Sequence, residues 1–204
     1  MLINSALMSI IVDWDENAAM SLLDIFLRFP FLYMGLATLA ALFVVLLKWL
    51  VVGRYRPVEK PLWNNYVWRS ELVTSTYEQL AVYLVLDHLR GTPFLPWYWR
   101  LLGARFGSRV CADTTDITEF DVVTVDNDAS LDAYCGLQTH LFEDRVMKIS
   151  TVDVGARCTI GTKAIVLYDS RMEADSKLDD LSMLMKGETL PAGTAWRGSP
   201  ARKI

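Results

Sequence analysis

Hydrophobic and polar positions fall into three regimes along the chain. Residues 29–47, FPFLYMGLATLAALFVVLL, run without a charge. Such a stretch of helix, at ~1.5 Å per residue, is about 28 Å long, close to the ~30 Å of a bilayer's hydrocarbon core. The pattern predicts a transmembrane helix. Lys48, Arg54, Arg56 and Lys60 follow it, while Asp13, Asp15, Glu16 and Asp24 come before it. Basic residues stay on the cytoplasmic side, so the chain after about residue 50 is expected there. A buried helix of a soluble domain is the alternative, but a core helix seldom runs this long without a polar face. A signal peptide fits worse, because the N-terminus is acidic and has no small-residue cleavage pattern. Met1 to Val12 is apolar as well but too short to span, and it reads as an interfacial segment or the stub of a longer helix.

Residues 61–103 mix the two characters. Glu71, Glu78 and Asp87 punctuate apolar stretches of helical aspect, and LAVYLVL is too short for a second span. Pro93 and Pro96 argue against a regular helix through TPFLPWYWRLLG. Trp97, Tyr98 and Trp99 beside Arg100 suit either a membrane-surface anchor or packing against the following domain.

The C-terminal half keeps a period of six. Large apolar residues recur at Val154, Ile160, Val166, Met172, Leu178, Leu184, Leu190 and Trp196. The fourth residue after an anchor is small at Cys158, Ala164, Ser170, Ser176, Ser182 and Thr194, with Glu188 as the exception. A helix cannot keep such anchors on one face, because six residues are about 600° of rotation. A short strand plus a tight corner can, with the large side chain inward and the small one at the corner. Three such sides make one coil of about 18 residues, and stacked coils make a parallel β-helix. Val125, Leu131 and Leu137 extend the rhythm upstream, with Ala129, Cys135 and Leu141 at the corner places; Phe106-Gly107 and Ala112 fit an earlier side. The register breaks across residues 114–124 and 143–153, where loops are expected to project and carry function.

With this repeat, the ending LPAGTAWRGSPARKI resembles the hexapeptide-repeat acyltransferases, whose left-handed β-helix closes on a similar segment. Pro191, Gly193, Thr194, Gly198, Pro200 and Ala201 carry the likeness, and Ser199 stands where Asn is frequent. RYRPVEKPLW, LDHLRGTPFLPWYWRLLGARFG, DTTDITEFDVVTV, LQTHLFEDRVMK and LMKGETLPAGT resemble the C-terminal membrane region of ε-poly-lysine-synthetase-like nonribosomal peptide synthetases. The resemblance implies membrane helices followed by an all-β, left-handed parallel β-helix. The implied organisation is residues 1–53 as apolar segment and membrane helix, 54–103 as an interfacial helical linker, and 104–204 as an acyltransferase-like β-helix. The adenylation and carrier regions of those synthetases have no counterpart, so the chain is expected to be a C-terminal piece or a short relative.

His140 is the candidate catalytic residue. Imidazole is the usual general base near neutral pH, and acyl transfer to an amine or hydroxyl requires one. It lies at the edge of the second register break, as the resemblance to hexapeptide acyltransferases also implies. A solvated loop histidine is the plainer alternative. Glu143 and Asp144 would orient His140 or hold a cationic amine, unless they are an ordinary acidic turn. Arg145, Lys148 and Lys186 are candidates for binding the phosphate of a donor, against a reading as surface cations. Asp116 and Glu119, in the acidic stretch DTTDITEFD at the first break, would attract the amine-rich substrate that the poly-lysine resemblance implies, unless the stretch forms β-helix corners with polar caps. The EF-hand pattern of a calcium loop is absent there.

Composition narrows the classes. Hydrophobic residues make up 52% and charged residues 22%, too apolar for a disordered chain. A net charge of −4 offers no basic field for nucleic acid. Three widely spaced cysteines form no disulfide framework, which fits a reducing compartment, and two histidines leave no expectation of a structural metal. The resulting expectation is a membrane-tethered acyl or aminoacyl transferase with no permanently bound cofactor. Its donor would be a phosphopantetheine-carrier thioester or a coenzyme A ester. Its partners would be the membrane and adenylation or carrier domains in cis or trans. A trimer or pseudo-trimer is expected, because one flat-sided β-helix encloses no ligand alone. A non-catalytic docking module of a membrane-bound synthetase is the alternative.

Overall fold

A computed structural model describes residues 22–204, with side chains from Phe26 onward. The apolar stretch 1–12 and the acidic residues 13–16 lie outside the described residues. The first described element, α1 (Leu22–Val51), includes Pro30. Its segment Phe26–Val51 is long and apolar enough to cross a membrane by length and composition. One stripe, Ala37, Ala41, Val44 and Lys48, is buried against the rest of the protein. That spacing is one face of a 3.6-residue helix, and its small residues allow close approach. The other sides of α1 are largely exposed and apolar, with Phe31 and Leu50 each about three-quarters accessible (76% and 75%).

A second helix, α2 (Asn65–Thr76), starts where the Asn64 side chain accepts from the Tyr66 N–H at 2.8 Å. It widens into a π-helical stretch, Tyr77–Val82, that packs along α1. A third helix, α3 (Phe94–Leu101), occupies the segment where two prolines argued against regular helix. Pro93 caps it and Pro96 falls in its first turn, where a missing N–H breaks no intrahelical bond. The aromatic cluster divides along this helix. Trp99 is buried and its Nε1 donates to Tyr77 Oη at 3.0 Å; Tyr98 is buried and donates to the Ala41 carbonyl at 3.0 Å; Trp97 stays exposed.

From residue 105 the chain winds as a three-sided parallel β-helix. Phe106, Val125, Val154, Met172 and Leu190 stack in one column. Ala112, Leu131, Ile160, Leu178 and Trp196 form the second. Ile117, Leu137, Val166 and Leu184 form the third. All are buried except Trp196, which is partly buried over the last coil. Cys158, Ala164, Ser170, Ser176 and Ser182 fill the buried corners, as their size requires. Three residues after each anchor the backbone turns left-handed, at Arg157, Lys163, Asp169, Asp175 and Leu181, then at Gly187 and Gly193.

Two departures interrupt the winding. Between Ile117 and Val125 the chain detours through Glu119 (φ 38°) and a 3-10 turn, Phe120–Val122. After Thr139 it leaves the coil altogether. His140–Glu143 and Val146–Ile149 form an antiparallel hairpin, and Ser150 N–H donates back to the Thr139 carbonyl at 3.1 Å. Leu141 therefore belongs to the hairpin, and the corner it was expected to fill does not exist. Val58–Pro61 adds a third antiparallel strand to the hairpin. The helices plug the open end of the solenoid, so a single apolar core runs from Val44 through Tyr77 and Trp99 to Leu190.

Candidate active site

The two departures from the repeat meet. Ile117 and Leu137 are neighbours in adjacent coils, so the residues just after each leave the solenoid side by side. His140 Nδ1 lies 2.8 Å from Glu119 Oε2. Glu119 is 1% exposed and also accepts from Thr139 Oγ1 at 2.6 Å and from Ser70 Oγ of α2 at 3.2 Å. The same Ser70 Oγ is 3.4 Å from Tyr55 Oη. The left-handed backbone at Glu119 turns its side chain inward beneath the hairpin.

Burial alone would raise the Glu119 pKa, but the His140 hydrogen bond and charge, with Thr139 and Thr118, outweigh it and hold the carboxyl below its usual value. Burial alone would lower that of His140, but Glu119, with a further contribution from Glu71, raises it above the ordinary imidazole value. An ionised Glu119 fixes Nδ1 as the donor and leaves the Nε2 lone pair for a substrate proton. The Phe142 ring contacts the imidazole edge-on, centroids 5.2 Å apart.

Among the described residues, three buried side-chain atoms have no hydrogen-bond partner: Lys48 Nζ, Tyr66 Oη and Glu71 Oε1. Lys48 Nζ is 2.6 Å from Asp121 Oδ2 and so is paired by charge. The other two project from α2, near the Glu119–His140 pair. Burial, with the charges of Glu119 and Asp121, pushes Tyr66 up to about 12. Burial first, then the like charges of Glu119 and Glu78, raises Glu71 against the opposing pull of His140. Buried polar groups are nearly always satisfied, so these two orphans on α2 stand out: Glu71 is coupled by charge to His140 and Glu119, and Tyr66 to Glu119. Glu71 also ends an open groove of about 510 Å³ lined by Leu62, Trp63, Val67, Trp68 and Leu72.

The remaining sequence candidates are distributed differently. Glu119, expected to attract a substrate, is instead buried and hydrogen-bonded by His140, Thr139 and Ser70. Glu143 does not reach His140. Lys186 Nζ at 2.6 Å, Lys148 Nζ at 3.2 Å and Tyr168 Oη at 3.4 Å surround it, so the two lysines expected to bind a donor are matched by the same carboxylate. Asp144 and Arg145 form the exposed hairpin tip, both with positive φ. Asp116 is exposed, with Oδ2 only 2.7 Å from where a Cβ on Gly136 would sit. Ser70, Thr139, Tyr66 and Glu71 were not singled out from the sequence. The available signal was the interval between the breaks: Glu119 and His140 lie about one coil apart.

No protein-family model matches the chain. Over 160 residues, 78% of the chain, it is 49% identical to a delta-poly-L-ornithine synthetase of Acinetobacter baumannii (strain AB307-0294). The match spans 12% of that synthetase. A poly-amino-acid synthetase is thus a relative of this chain, in keeping with the sequence resemblance. Solved structures similar to the chain include the polySia-specific acetyltransferase NeuO (TM-score 0.42, 14% identity, 48% of this chain and 50% of that one). A galactoside acetyltransferase in complex with coenzyme A gives TM-score 0.41 at 14% identity, over 58% of this chain and 73% of that one. Soybean serine acetyltransferase gives 0.40 at 15% identity, over 69% and 62%.

Proposed function

We propose that this chain is a membrane-associated acyl or aminoacyl transferase module of a poly-amino-acid synthetase, with His140 as general base. The observation that carries the reading is the buried Glu119–His140 pair beside the two orphaned groups of Tyr66 and Glu71. In the reaction, the acceptor nitrogen or oxygen loses its proton to His140 Nε2 as it attacks the thioester carbonyl. The carbon–sulfur bond breaks, the thiolate leaves, and the imidazolium returns its proton to the sulfur. Glu119 stabilises the imidazolium and sets the tautomer, the role a carboxylate plays toward a catalytic histidine in general. The donor is a phosphopantetheine-carrier thioester or a coenzyme A ester. In a synthetase the product bond is an amide between amino acids. The β-helix is left-handed and faces the cytoplasm, α1 holds it at the membrane, and adenylation and carrier domains supply it in cis or trans. A neighbouring β-helix, in a trimer or a tandem pseudo-trimer, covers the open side of the site.

The pairing of Lys148 and Lys186 with Glu143 favours a second reading, a docking module, since among the described residues it leaves Arg145, at the exposed hairpin tip, as the one expected donor-binding cation outside an ion pair. Single-turnover transfer from a carrier-linked aminoacyl donor separates the two. His140→Ala should lower the rate about 10²–10⁴-fold. Equal rates for matched, folded proteins would leave the docking module.

A further inference from the structure

The attachment of α1 fixes how the chain can sit on a bilayer. Tyr33 Oη donates to the Leu84 carbonyl at 3.3 Å, in the N-terminal half of the helix, and Lys48 meets Asp121 at 2.6 Å, near its C-terminal end. These contacts are about 22 Å apart along the axis. Both lead to the first coil of the solenoid. On the Leu84 side, Gly91 N–H donates to the Ala112 carbonyl at 2.7 Å and Arg90 pairs with Asp113 at 3.2 Å. On the Lys48 side, Asp121 sits in the detour that follows the last side of that coil. α1 therefore lies across the plugged end of the β-helix instead of leaving along its axis. Standing along the bilayer normal, it would carry the Leu84 side into hydrocarbon. The charged side chains there, Asp87 at 52% and Asp113 at 44% exposed, would go with it. Ionised groups at that depth are prohibitive unless other protein shields them.

The rim of the same face is cationic. Beneath the C-terminal end of α1, Arg54, Arg56, Arg100 and Arg105 line a cleft of about 640 Å³ with Trp49. Among the described residues, none of these four arginines is in an ion pair, and the carboxylate of the cleft, Asp121, is taken by Lys48. Trp49 Nε1 donates to the Leu101 carbonyl at 2.9 Å, which brings the exposed edge of α3 (Phe94, Trp97, Leu101) alongside. Arg100 donates from Nε to the Phe106 carbonyl at 3.0 Å and from Nη2 to the Gly107 carbonyl, while among the described residues the guanidinium groups of Arg54, Arg56 and Arg105 stay unmatched. Apolar helix, aromatic edge and these cations follow the order of acyl chains, interface and phosphates.

We propose that α1 and the exposed edge of α3 rest in a single leaflet, with α1 in the membrane plane, and that the four-arginine cleft binds the phosphate of an anionic lipid headgroup. The proposal rests on the membrane association proposed above and replaces a spanning α1. A bidentate guanidinium fork suits a phosphate diester held at this depth.

Two measurements on the full chain test it. In sealed membrane vesicles and a Cys111→Ser background, Asn17→Cys and Glu59→Cys should react with an impermeant maleimide from the same side. Reaction from opposite sides establishes a spanning α1 and overturns the in-plane geometry. In vesicles of phosphatidylcholine with phosphatidylglycerol, quenching of tryptophan by brominated phosphatidylglycerol should exceed that by brominated phosphatidylcholine. Arg54→Ala/Arg56→Ala should weaken the anionic-lipid preference by about 25-fold, roughly fivefold per arginine. An unchanged preference overturns the lipid site. So does displacement of the lipid by micromolar 4′-phosphopantetheine, which reassigns the cleft to the donor. Loss of all quenching on self-association would assign the face to a second copy. Failure of the membrane association itself reads differently: a carbonate wash would release the intact chain from every lipid.

Discussion

Replacing Glu119 by Gln changes one atom and should disable the base. The wild-type carboxylate accepts from His140 Nδ1, Thr139 and Ser70 at 2.8, 2.6 and 3.2 Å. Glutamine has the same shape but offers one oxygen and one NH₂. Ser70 donates to Oε1, whereas Thr139 and His140 share Oε2; with the amide oxygen toward Ser70, the NH₂ faces His140 and Thr139, whose hydroxyl then donates to the Thr118 carbonyl. Nδ1 then becomes an acceptor, the ring proton moves to Nε2, and the nitrogen that should take the acceptor proton is already protonated. The rate loss should approach that of removing the base, about 10²–10⁴-fold. The pH profile gives an independent check. Glu119 holds the His140 pKa above the usual imidazole value, so the wild-type rate falls as pH drops through a point above ~6.5. In Glu119→Gln that limb should move to lower pH while the plateau drops. Single-turnover rates between pH 5 and 9, at saturating carrier-linked donor and with an alcohol acceptor to avoid amine titration, would show both. A plateau and limb identical to wild type would refute the dyad.

The same pair should show in stability. His140 is raised in the folded state, so its contribution is complete below ~6.5 and is lost as pH rises through the higher folded value. Glu119 is lowered, so its contribution is present above about 4.5 and is lost as pH falls through the folded value. Denaturation midpoints in detergent should therefore peak at mildly acidic pH, and the peak should vanish in Glu119→Gln. His140→Ala leaves a buried carboxylate uncompensated and should cost about 2–4 kcal/mol while retaining the fold, read from the same midpoints. Gly103→Ala should be severely destabilising, because its Cβ would lie 2.3 Å from Asp121 Oδ1 at a backbone φ of +106°; a midpoint within error of wild type would contradict this. At the left-handed corner Lys163 (φ 54°), Lys163→Gly should be nearly neutral, whereas Lys163→Val should cost about 1–2 kcal/mol. Ile160→Asp, inside the coil, should abolish the cooperative transition.

The solenoid was legible because its period comes from a simple constraint: a large residue inward and a small one at each corner, from Val154 to Leu190. The left-handed corners were not legible, since Arg157, Asp175 and Leu181 share no side-chain chemistry; the coil imposes their backbone. The helix α3 was missed because Pro96 was read without its place in the turn. Both loops of the site were located as register breaks, and His140 was picked from its chemistry. The burial of Glu119 was not legible, because sequence shows only a carboxylate in a polar run. Ser70, Tyr66 and Glu71 come from a helix outside the repeat, and only tertiary packing brings them to the histidine.

Glu119, Phe120 and Asp121 are consecutive, yet they serve three separate partners. Asp121 is held by Lys48 of α1, Phe120 packs on Tyr77 with ring centroids 5.1 Å apart, and Glu119 holds His140. Three residues thus tie the apolar helix α1, the helical plug and the His140 imidazole into one unit of inheritance. When modules of this kind are shuffled, a crossover between residues 52 and 118 would join one parent's Lys48 to another's Asp121 and misfit the pair. Functional chimeras should carry α1 and both solenoid loops from a single parent, with exchange tolerated after Ser150, where the winding becomes regular.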